Sequence, residues 1–226
     1  MDLLAHIVQH NPAELARADA SLFASVVGSL EFGIAHFDAG ISRRALEAMY
    51  ALGRAHAASR RPGDSRFGAF DLAPQMACVP DLFSRLARAV LQLALGGERA
   101  PDENLAVAAE ALAAAVACDP GGYTALVQGL LAPYLAPGAD AALAQRLAAE
   151  FTSLTEDFFR LVAAEQAQAA QAQAQAQAQG FALAGGGGGS GGRARPRYAL
   201  DGPSRKDFTL RFERFVPAVR GMTTIL

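Results

Sequence analysis

The chain has 226 residues, 52% of them hydrophobic, enough to bury a substantial core without the support of a metal or a disulfide framework. Its two cysteines, Cys78 and Cys118, lie in or beside apolar runs and read as small core residues of a protein kept in a reducing compartment. The formal net charge of −2 hides an asymmetry: residues 1–180 carry 12 basic and 19 acidic side chains, and residues 181–226 carry 8 and 3, so the body is acidic and the tail basic.

The opening MDLLAHIVQHNP has no basic start, apolar stretch or small-residue cleavage site. No apolar run reaches the roughly 18 residues of a membrane-spanning helix, so the expectation is a soluble intracellular protein. From Leu22 the apolar positions run Leu22, Phe23, Val26, Val27, Leu30, Ile34 and Phe37, the spacing that puts one stripe on a helix, and a helix is expected over 19–37. Gly40 interrupts it. Ser42 can then cap a second helix, 42–59, whose stripe is Leu46, Met49, Tyr50 and Gly53.

Arg60-Arg61-Pro62-Gly63-Asp64-Ser65 reads as a surface loop. Pro80 fits a first helical turn, and Leu82, Phe83, Leu86, Val90 and Leu93 follow until Gly96-Gly97, giving a helix over 80–95. Pro101, Asp102 and Glu103 open a fourth helix, 102–117, striped by Leu105, Ala109, Leu112 and Val116. Asp119-Pro120 opens a fifth, 120–135, with Tyr123, Leu126, Val127, Leu130, Leu131 and Tyr134 on one face. Leu143, Leu147, Phe151, Leu154, Phe158 and Leu161 mark a sixth over 139–165.

The chain then changes character. Alternating Ala and Gln from Ala167 to Gln179 lead into a tract from Gly185 to Gly192, and no stripe survives. Residues 166–202 are therefore expected to form an unstructured, low-complexity insert. Ser204 and Asp207 resemble a capping box, and Phe208, Phe212, Phe215, Val216 and Val219 define a terminal amphipathic helix over 204–220 that Pro217 should kink or end.

The pairs 19–37/42–59, 80–95/102–117 and 120–135/139–165, with 40 residues between Pro80 and Pro120, fit the period of a HEAT or armadillo array. The expected fold is all-α: an α-α superhelix of about three helix pairs over 1–165, the insert at 166–202, and a capping helix and tail over 203–226. The abundance of alanine reads as coding bias.

Candidate chemistry is sparse. His6 and His10 share a metal-compatible i, i+4 spacing, but two histidines alone do not make a site, and no metal site is expected. The glycine tract lacks the Lys-Ser or Lys-Thr and the preceding strand of a phosphate cradle. Adjacent carboxylates at Asp102-Glu103 and Glu156-Asp157 point about 100° apart on a helix and do not make an acid/base pair. Arg43-Arg44 and Arg60-Arg61 could meet an acidic partner, although a solvated face is the plainer reading. Arg193, Arg195 and Arg197 lack aromatic platforms for nucleic acid. No catalytic, cofactor-binding or metal residue is assigned, and an enzyme is not expected.

The segments LFASVVGSLEFGIAHFDAGISRRALEAMYAL (22–52), FSRLARAVLQLAL (83–95), GGYTALVQGLLA (121–132), AQRLAAEFTSLT (144–155) and RKDFTLRFERFVPAV (205–219) resemble, in order and spacing, the last HEAT repeats of exportin-4-type nuclear transport receptors in the importin-β/karyopherin-β family. The most specific parts are Ser29-Leu30-Glu31-Phe32-Gly33 and Gln145-Arg146-Leu147 followed by Phe151. The insert and the many alanines depart from the family pattern, as does the lack of a long amino-terminal region, so the chain resembles a fragment or truncated gene model. The resemblance implies a receptor shuttling between nucleus and cytoplasm that carries protein cargo, such as hypusinated translation factor 5A, through the nuclear pore with Ran-GTP. Its implied partners are Ran-GTP, cargo and pore proteins, with no cofactor, nucleic acid or membrane insertion, and it assigns no Ran or cargo contact to a residue. The competing reading is a stand-alone helical-repeat adaptor.

Overall fold

The computed structural model describes residues 1–59, 70–96, 104–136, 139–179, 199–200 and 202–223. Ten helices follow one another: α1 (Asp2–His10), α2 (Pro12–Arg17), α3 (Ala20–Ile34), α4 (Ala39–Ser59), α5 (Ala73–Cys78), α6 (Leu82–Leu95), α7 (Leu105–Cys118), α8 (Pro120–Leu131), α9 (Ala141–Gln179) and α10 (Gly202–Thr223). The fold is all-α, and no strand occurs among the described residues.

Local chemistry sets the helix starts. The Asp19 carboxylate accepts from the Leu22 N–H at 2.8 Å, Asp119 from Gly122 at 2.8 Å, and Asp140 from Ala142 and Leu143 at 2.9 and 3.1 Å. Asp38, not Ser42, caps α4, accepting from Gly40 and Ile41 at 2.8 and 3.1 Å, so the helix begins at Ala39. Ser42 is instead buried and donates to the Ile34 carbonyl at 3.1 Å, which ties α3 to α4. Helix α6 begins at Leu82, not at Pro80, because Asp81 sits at φ 56°, in the left-handed region that no helix passes through.

The packing has two layers. Helix α3 meets α6 and α6 meets α8 in one; α4 meets α7 in the other, and α4–α7 is the most extensive helix contact in the molecule. These two run parallel. Asn104, at the start of α7, donates to the carbonyl of Ala39, at the start of α4, at 3.0 Å, while the Cys118 thiol at the far end reaches the Gly53 carbonyl at 3.3 Å.

The centre of helix α7 is buried: Ala108, Ala109 and the whole run 111–116 are sealed from solvent, while Ala106, Val107 and Glu110 keep contact with it. The buried surface is much wider than the narrow stripe expected of it, as in a central helix. Its alanines let neighbours close in. A Cβ placed on Gly53 would lie 2.7 Å from the Ala114 Cβ, a separation that two carbons do not adopt. Alanine here is a packing requirement.

The outer face of α7 is covered by α10, which lies antiparallel to α9: Phe215 meets Phe151 and Phe208 meets Phe158, each with ring centroids 4.9 Å apart. All five expected anchors, Phe208, Phe212, Phe215, Val216 and Val219, are buried. Pro217 neither ends α10 nor interrupts it. It lies on the exposed face, and the anchors on both sides of it hold the helix together against a penalty of roughly 3 kcal/mol.

Three further expectations are corrected. The stripe of α3 excludes Leu22 and Phe37, which are 53% and 88% exposed, and the helix stops at Ile34. Cys78 is an exposed residue at the end of α5, and Cys118 is half-buried. The insert expected at 166–202 is helical through Gln179, because Ala and Gln are good helix formers and propagate a helix already nucleated by the buried half of α9. Near its other end Ala199 and Leu200 are buried, and the Ala199 N–H donates to Glu165 at 3.1 Å. The glycine tract and the Arg60–Ser65 loop lie outside the described residues.

Two outcomes follow. Gly53→Val lowers unfolding free energy in urea by about 2 kcal/mol or more, since overpacking costs about 1–3 kcal/mol and valine recovers little helix propensity over glycine; an unchanged midpoint contradicts the close approach. The Tyr123 hydroxyl is buried without a hydrogen-bond partner among the described residues, and burial pushes its pKa up from the ordinary 10.0. Below pH 10 the wild-type phenol is neutral in both states, and as pH rises above that value the unfolded chain loses its proton first and stability falls. Tyr123→Phe therefore gains about 1 kcal/mol at neutral pH and flattens the alkaline decline, measured by urea titration across pH.

Candidate functional site

Beside the parallel α4 and α7, α1 completes a cleft of about 480 Å³, within the range of ligand sites. Helix α4 contributes Arg43, Glu47, Tyr50, Ala51, Arg54 and Ala55; α7 contributes Ala106, Val107 and Glu110; Val8, Gln9 and Pro12 form the third wall. The α4 residues recur at i, i+4, i+7 and i+11, so one face of one helix carries them all. The opposite face of α4, with Leu46, Met49 and Gly53, enters the core.

Tyr50 organises the polar end. Its hydroxyl accepts from Arg205 Nη1 of α10 at 2.9 Å, and the guanidinium carbons of Arg54 and Arg205 each lie 5.5 Å from its ring centroid. Arg205 Nε lies 3.4 Å from Glu110, an ion pair too long to count as a good hydrogen bond, and that nitrogen has no other partner. Partial burial works against the Arg205 charge, but the Tyr50 hydrogen bond and the negative field of Tyr50 and Glu110 outweigh it and raise its pKa.

The rim is a charge network. Glu47 takes Arg43 Nε at 3.1 Å and Arg44 Nη1 at 2.8 Å, and Arg44 also reaches Asp2 of α1 at 3.1 Å. The hydrogen bond to Glu47, its charge and that of Asp2 raise the Arg44 pKa. The arrangement holds fixed guanidiniums against a floor of small apolar side chains, the equipment of a recognition surface. A second, more open concavity of about 550 Å³ lies between α1 and α3, lined by Met1, Leu4, Ser25, Gly28, Ser29 and Phe32.

The sequence candidates fare unevenly. His6 and His10 do sit together, ring centroids 4.6 Å apart, but no group of three His, Cys, Asp or Glu placed to hold a metal occurs among the described residues. Glu156 and Asp157 both pair with Arg160 within α9, and Asp157 also pairs with Arg211, which fastens α9 to α10. Arg43 and Arg44 lie on an exposed, solvated face, where both pair with Glu47, and Arg43 also lines the cleft. Asp102, Glu103, Arg60, Arg61 and the arginines at 193, 195 and 197 lie outside the described residues. Tyr50 was legible only as part of a stripe, because its partner Arg205 stands 155 residues away.

No family model, no curated protein and no solved structure matches the chain.

A double-mutant cycle of Tyr50→Phe and Arg205→Met, read by urea denaturation, gives a coupling of about 0.5–1.5 kcal/mol if the hydrogen bond is formed in solution. Additive effects contradict it.

Proposed function

We propose that this chain is a protein-binding helical array of the HEAT or armadillo kind, with the α1–α4–α7 cleft as its contact surface. The supporting observation is the stacking of equivalent helices: α3 on α6 on α8 in one layer, parallel α4 and α7 in the other. In such arrays each hairpin buries its stripe against its neighbours, and the grooves between successive helices engage other proteins. The cleft lies in such a groove.

The more specific form of this reading is a carboxyl-terminal piece of a nuclear export receptor that carries protein cargo in a Ran-GTP-dependent manner. It is supported by the sequence resemblance in segments 22–52, 83–95, 121–132, 144–155 and 205–219. In that reading Ran-GTP, cargo and nuclear pore proteins are the partners, and the protein shuttles between nucleus and cytoplasm.

Peptide display on the folded full-length chain, followed by hydrogen exchange with a selected peptide, tests the general reading. Slowed exchange of amides in 43–55 and 105–110 is expected; protection confined to other helices, or no selected peptide, contradicts it. Pull-down with Ran loaded with GTP or GDP tests the export reading, which requires a GTP-dependent signal.

A further inference from the structure

The cleft lining itself is neutral, with Arg43 and Arg54 against Glu47 and Glu110, but arginines from outside it also reach its carboxylates. Each of its carboxylates already faces a guanidinium of the same chain: Glu47 faces Arg43 and Arg44, and Glu110 faces Arg205. Arg54 is different. It is exposed at the cleft wall, lies over the Tyr50 ring, and has no carboxylate partner among the described residues. With Arg43, Arg44 and Arg205 committed to Glu47 and Glu110, Arg54 is the cleft cation left without a carboxylate among the described residues.

We propose that the cleft captures an acidic segment of a partner protein, one carboxylate pairing with Arg54 while a neighbouring apolar side chain rests on Val8, Ala51 and Val107. This rests on the protein-binding reading above and names the chemistry of the partner. Stacking on Tyr50 holds the Arg54 fork in place before binding, which reduces the ordering cost of a two-pronged guanidinium–carboxylate contact. Glu47 and Glu110 flank the position and restrict the ligand. A phosphate dianion or a nucleic-acid backbone meets their repulsion, whereas a singly charged carboxylate on an apolar peptide meets one available cation and a floor of small side chains.

Fluorescence anisotropy on the full-length protein tests this with three labelled peptides of identical Ala/Leu framework, carrying Glu, Gln or Lys at the same positions. The Glu peptide binds at least about tenfold more tightly than the other two, and raised salt weakens it. Arg54→Gln removes about that tenfold preference of Glu over Gln peptide, while Arg88→Gln, on α6 outside the cleft, leaves it unchanged. Equal affinity for Glu and Gln peptides, no binding of the Glu peptide, or an unchanged Glu preference in the Arg54 variant overturns the inference. Neutral peptides selected by display that protect the cleft amides would leave the protein-binding reading standing while overturning this one; failure of every peptide to protect the cleft removes both.

Discussion

The close approach of α4 and α7 is the constraint on which the other features depend. Two helices with ordinary side chains at their crossing stay about 8–10 Å apart; Gly53 against Ala114, with the Cys118 thiol reaching the Gly53 carbonyl, removes the spacer atoms. Once α7 is so near α4, α6 and α10 pack on its other sides, and its central stretch, Ala108, Ala109 and 111–116, is buried. Each contact in this region is small. Their sum comes from density, since dispersion and burial reward surfaces that fit without gaps.

The cleft is a product of the same geometry. Helix α4 has two working faces: Leu46, Met49 and Gly53 enter the core, and Arg43, Glu47, Tyr50 and Arg54 face the groove. Small side chains again matter, because Ala51, Ala55 and Ala106 leave room that larger residues would fill. Helix α10 links the two regions. Its aromatic face completes the packing around α7 and α9, and its first turn sends Arg205 to Tyr50 and Glu110 at the cleft. Packing and recognition are thus coupled through one helix at the far end of the chain.

How far the sequence reveals this depends on side-chain size. The stripes of α6 and α10 were legible because Leu82, Phe83, Leu86 and Val90, and Phe208, Phe212 and Phe215, are large enough to announce a face. Helix α7 was misread because alanine carries little hydrophobic contrast, so a broadly buried helix looked like a weak stripe. The start of α6 depended on a left-handed Asp81, which no spacing rule reports. The Ala/Gln stretch has helix-forming residues but no stripe, so it reads as a fraying extension of the sixth helix, whereas propagation from the buried half of α9 carries the helix to Gln179. The cleft was invisible for a different reason: it is assembled from α1, α4 and α7, with α10 supplying Arg205, and no local pattern links Tyr50 to a residue so distant in the chain.

Native-state hydrogen exchange on the intact protein tests the central place of α7 most directly. Amides of 108–116 should be the slowest in the molecule, exchanging only when the whole domain unfolds, with those of α4 around Gly53 close behind. If these amides exchange faster than those of α3 or of the buried half of α9, the tightly packed α4–α7 centre described above is wrong.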